Sequence, residues 1–104
     1  MLQRWAIISI LRLAPLLAPF AAVADTATEQ MIGAIDAVVS ACSPIDAKSA
    51  KTGADLLAST AAERKLDLAS IRKSDAYKAI YNSEANRLLS LPTKERLVAC
   101  KSAW

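Results

Sequence analysis

Two hydrophobic patterns divide this chain. Trp5 to Val23 is apolar almost throughout, interrupted by Ser9 and Arg12. From Met31 onward, apolar residues instead recur every three or four positions, the period of an amphipathic helix. No stretch shows the sustained alternation of a half-buried strand. The pattern therefore predicts an all-α fold, a small bundle of four to five short helices.

The first helix is expected to start near Thr26, where Thr26-x-x-Glu29 fits a capping box. Met31, Ile35, Val38 and Cys42 then form one stripe, widened by Ile32 and Val39. Glu29, Gln30, Gly33, Asp36 and Ser40 fall off it. Ser43-Pro44 stops the helix, because the residue before proline disfavours the α region. Ile45 to Thr52 reads as a loop or as a short helix capped by Asp46. A second helix is expected from Gly53 or Ala54 to Lys65, with Leu57, Ala61 and Arg64 on one face and Leu56 beside them. Asp67 is a good N-cap for a short segment, Leu68 to Lys73, that turns Leu68 and Ile71 inward. After the cap at Ser74-Asp75 the most regular helix runs from Ala76 to Ser90. Tyr77, Ile80, Tyr81, Ala85, Leu88 and Leu91 make its stripe. Pro92 can begin the last helix, where its missing N–H costs nothing. Leu97, Cys100, Lys101 and Trp104 lie along one side of that helix, with Val98 nearby.

The first pattern reads as an export signal. A short, positively charged start leads into the apolar run, which ends at Ala22-Val23-Ala24, a small–x–small cleavage site followed by Asp25. A spanning helix needs about 20 apolar residues. Arg12 would cost about 2.5–3.5 kcal/mol near mid-bilayer, and Pro15 and Pro19 weaken a continuous helix. The expected division is a cleaved secretory signal peptide over residues 1–24 and a single helical domain over residues 25–104. Cleavage between Ala24 and Asp25 would leave a periplasmic or secreted protein with no stable membrane insertion.

Removing that segment changes the charge. The net +3 of the whole chain falls to near neutral, with eleven basic and ten acidic side chains remaining. No electrostatic case for nucleic acid is left. The remaining domain has 17 large aliphatic residues, a thin core for a chain that must bury enough surface to fold. In an oxidising compartment its two cysteines, Cys42 and Cys100, read as one disulfide. Closing that loop would contribute about 4 kcal/mol in the chain-entropy treatment. Each cysteine sits on the apolar stripe of its own helix, so the bond would tie the first helix to the last.

Catalytic chemistry is hard to assemble from these residues. The chain has no histidine, so neither a Ser–His–Asp nor a Cys–His arrangement can form. Glu63 and Asp67 are four apart, but the helix is expected to break between them. Isolated Gly33 and Gly53 make no phosphate-cradling loop. No catalytic, cofactor-binding or metal-binding residue is assigned, no cofactor is expected, and the reading is of a protein that is not an enzyme. Candidate partner-binding residues are Tyr77 and Tyr81, one turn apart, and Trp104 at the end of the sequence. For each, the competing expectation is core packing. Arg64, Lys65, Arg72, Lys73 and Lys78, interleaved with acids, read as a solvated face.

A small exported all-α domain with one long-range disulfide is similar in plan to the acid-stress chaperones of the bacterial periplasm. The likeness lies in the plan rather than in a motif, so it transfers no residue role. It implies that acid, by protonating ten carboxylates, would leave eleven positive charges and loosen a thin core. The leading expectation remains a small helical interaction protein that binds an unidentified protein in the cell envelope or outside the cell. An acid-conditional periplasmic chaperone is the first alternative, and a small ligand carrier or enzyme the second.

Overall fold

The computed structural model describes residues 24–104. The expected signal segment, apart from Ala24, lies outside the described residues. Among these residues there are five helices and no strand. They are α1 (Thr26–Cys42), α2 (Ala47–Arg64), α3 (Leu68–Ile71), α4 (Asp75–Leu89) and α5 (Thr93–Ser102). The all-α bundle with one disulfide is the architecture the periodicity predicts.

Local chemistry sets each boundary. Asp25, not Thr26, caps α1: its carboxylate accepts the Thr28 N–H at 2.8 Å. The carboxylate one residue upstream thus takes the position proposed for the threonine hydroxyl. Asp46 caps α2 by accepting the Ser49 N–H. Helix α2 then runs unbroken through Gly53, so the expected break between a short segment and a second helix is absent. Asp67 and Ser74 cap α3 and α4 through Ser70 and Tyr77 N–H groups. The end of α2 is a Schellman turn. Lys65 adopts the left-handed conformation at φ 53°, and Leu66 N–H donates to the Ala61 carbonyl at 2.9 Å. Pro92 stands one position earlier than expected, as the extended N-cap of α5.

Helix α1 is the centre of the bundle. Thr28 meets Arg64 and Val39 approaches Gly53, so α2 runs antiparallel to it. Asp36 bonds Tyr77 and Ser40 bonds Tyr81, so α4 runs beside α1 in the same direction. Ile32, Leu57, Ile71 and Tyr77, one residue from each of α1 to α4, form the buried cluster. Met31, Ile35, Leu66, Leu68 and Tyr81 pack around it, as does Ala24. Fully burying a side chain of this size is worth about 1.5–3 kcal/mol.

The deepest face of α1 is not its aliphatic stripe. Gly33, Ala37 and Ala41, spaced by four, are buried, whereas Met31, Ile35 and Val38 are half-buried. Rows spaced by four form the ridges along which helices pack. Small residues on this row bring α4 close: a Cβ at Gly33 would stand 2.7 Å from the Tyr77 carbonyl oxygen.

Helix α5 is different. Cys100 is its one buried residue, and Val98 is 63% exposed. Cys100 is disulfide-bonded to Cys42, the last residue of α1, with Cα atoms 5.7 Å apart. Both cysteines are fully buried.

Candidate functional site

Two polar constellations stand out among the described residues. The first joins α1 to α3 and α4. Arg72 makes a two-pronged ion pair with Asp36, Nε to Oδ2 at 2.8 Å and Nη2 to Oδ1 at 3.2 Å. The Tyr77 hydroxyl donates to the same Oδ2 at 2.6 Å. Burial, and then the Asp36 carboxylate, push the Tyr77 phenol up to about 12. The same carboxylate holds the Arg72 guanidinium above its ordinary value. Tyr81 stacks on Tyr77 with ring centroids 5.8 Å apart and donates to Ser40 at 2.9 Å. The Tyr77 hydroxyl and ring are both turned inward, and Tyr81 is half-buried. The two rings couple helices rather than stand free of them.

By its spacing Asp36 falls on the polar face of α1, and nothing else in the sequence marks it. A signal was available in the pairing. Asp36 and Ser40 are four apart, as are Tyr77 and Tyr81, so two helices in register offer two acceptors to two hydroxyls.

The second constellation surrounds Trp104. Its indole Nε1–H donates to the Ser49 carbonyl at 2.8 Å. The ring lies over Gly53, where any Cβ would overlap it. Ser49 Oγ is 3.0 Å from both the Cys100 carbonyl oxygen and Asp46 Oδ2, so its single proton serves one of them at a time. Trp104 is therefore fastened to α2 beside the disulfide, yet it stays 39% exposed. It forms a wall of a groove of about 480 Å³ lined by Asp46, Lys48, Ser49, Thr52 and Lys101. That volume falls within the range of about 300–1,000 Å³ usual for small-molecule sites, but the groove is shallow and open to solvent.

No protein-family model, curated protein or solved structure matches this chain.

The basic residues that the sequence groups together are split by the fold. Arg64 donates to Thr28 at 2.9 Å and Arg72 to Asp36, while Lys65, Lys73 and Lys78 remain on the exposed surface. Among the described residues, no three potential ligands converge on a metal position, and no helix is long and apolar enough to cross a membrane.

Proposed function

We propose that this chain is an exported, non-catalytic interaction domain that engages a partner protein through the Trp104 groove. One observation carries the reading: a large aromatic is held in fixed orientation at the surface. Trp104 has its N–H satisfied by Ser49, yet more than a third of its surface faces solvent. Aromatics that are oriented before binding and rimmed by polar groups are the usual anchors of protein interfaces. Tyr77 and Tyr81, the other candidates, spend their hydroxyls within the fold. The test is capture from an envelope extract with the tagged protein and with its Trp104→Ala variant. A stoichiometric partner retained by the parent and lost by the variant is expected. Recovery of no such partner, or equal recovery by both proteins, overturns the reading.

The Asp36 constellation favours a second reading, the acid-conditional chaperone. One carboxylate, 14% exposed, holds α1 to both α3 and α4. Loss of the Asp36 charge would remove the ion pair to Arg72. Separation of α1 from α4 would expose Ile32 and the half-buried Met31 and Ile35. Suppression of client aggregation at about pH 2–3 but not at pH 7 is the expected signature. Equal behaviour at both values removes this reading.

A further inference from the structure

We propose that the Trp104 groove accepts an acidic, extended segment of the partner, with an apolar side chain on the indole and carboxylates on Lys48 and Lys101. This rests on the interaction reading above and supplies the chemistry of the partner. Lys48 comes from the first turn of α2 and Lys101 from the last turn of α5, so two separate helices bring cations to one groove. Among the described residues, Lys51, Arg72 and Arg87 each have a carboxylate within ion-pair distance, whereas Lys48 and Lys101 have none. Asp46 is the one acidic side chain lining the groove. Its oxygens already face Ser49, Oδ1 accepting the N–H and Oδ2 lying beside the hydroxyl. The Thr52 hydroxyl donates to the Lys48 carbonyl. The donors left for a ligand are therefore the two ammonium groups, and the apolar surface left for it is Trp104. A ligand that matches this has negative charge on both sides of an apolar group. A neutral or basic segment would leave both ammonium groups unpaired.

The groove's anchor is also rigid where it must be. Gly53 allows the ring to lie against the α2 backbone, and the bond to Ser49 fixes its rotation. A binding segment then orders little on the protein side, which preserves affinity.

The test is fluorescence polarisation of a labelled heptapeptide with four carboxylates around a central phenylalanine, titrated with the purified full chain. The same peptide with its carboxylates converted to amides is the first comparator, and an acidic oligogalacturonate is the second. Saturable binding of the acidic peptide is expected, weakened at least about tenfold between about 0.05 and 0.5 M salt as screening grows. Lys48→Glu with Lys101→Glu should abolish it, and Lys78→Glu on the exposed face of α4 should leave it unchanged. These surface changes leave the core untouched, so circular dichroism should show the parent fold. Equal binding of the amide peptide overturns the proposal, as does tighter binding of the oligogalacturonate. If a protein partner is captured through Trp104 but the acidic peptide does not bind, the acidic-segment proposal falls and the interaction reading stands. If the acidic peptide binds but no partner is captured, the interaction reading falls and the groove's chemistry is upheld.

Discussion

Helices α4 and α5 both lie against α1, and they are held there by opposite means. Helix α4 meets α1 through shape and polar complementarity. Its Tyr77 carbonyl sits in the space left by Gly33, and its two tyrosine hydroxyls reach Asp36 and Ser40. Helix α5 brings almost no apolar surface. It is held by the bond from Cys100 to Cys42, the Ser49 contact with the Cys100 carbonyl, and Trp104 on α2. Where a helix lacks an apolar face, a covalent bond can replace the burial that would otherwise hold it. The position of such a helix then depends on redox chemistry, while the rest of the bundle depends on packing.

Breaking the covalent half should have the largest effect. Cys42→Ser with Cys100→Ser is expected to cost about 4 kcal/mol in global stability by the chain-entropy treatment. The loss should also be uneven. Hydrogen exchange should show α5 amides unprotected while α1 and α4 keep their relative protection. Equal loss of protection across all helices would mean that α5 is part of the packed core after all.

Breaking the packed half comes next. Gly33→Ala places a methyl group against a backbone carbonyl that cannot swing away, and it should cost about 1–3 kcal/mol in denaturant unfolding. Gly53→Ala meets side-chain atoms instead, the Trp104 ring and a Val39 methyl. It should change stability by no more than about 1 kcal/mol, since alanine is also the better helix former. Its effect should instead be a shift in the indole fluorescence as Trp104 leaves α2.

Alkaline titration probes the polar part of the α1–α4 contact. The folded phenol of Tyr77 is raised from 10.0 to about 12. Above the lower value the unfolded chain gives up this proton while the folded chain keeps it, so stability falls as pH rises. The contribution is complete below about pH 10 and is lost by about pH 12. Melting temperatures measured across that window should fall, and Tyr77→Phe should remove the part of the slope due to this group. The smallest effect should come from Lys65→Gly. Lys65 is left-handed at φ 53°, and glycine there should raise stability by about 0.5–1 kcal/mol. The gain should leave the difference between α4 and α5 unchanged.

Much of the fold was legible because caps and stops are local. Asp67 and Ser74 cap the helices expected of them, Asp46 caps a helix as its side chain allows, and the stripe of α4 lies inward at Tyr77 and Leu88. The pairing of Cys42 with Cys100 was legible because both fall on apolar stripes. The true contact face of α1 was not, because hydropathy gives little weight to Gly33, Ala37 and Ala41, and close approach selects for small size rather than greasiness. The unbroken α2 was missed for a related reason. Gly53 reads as a helix breaker, but here its missing side chain makes room for Trp104, 51 positions downstream. Of the candidate partner-binding residues, Trp104 forms the surface groove, whereas Tyr77 and Tyr81 are bonded to α1. That division depends on which hydroxyls find partners on α1, and a single helix face does not encode it.

The disulfide also determines how the domain would carry a mechanical load. A pull applied at Asp25 and Trp104 runs along α1, crosses from Cys42 to Cys100 and leaves through the end of α5. Once the bond from Trp104 to Ser49 breaks, α2, α3 and α4, inside the closed loop, bear none of it. Stretching the oxidised protein should release only about 80 Å of chain at about 3.5 Å per residue, whereas the reduced protein should release about 280 Å. A tether bound at the Trp104 end would therefore be short and stiff in an oxidising compartment and several times longer in a reducing one.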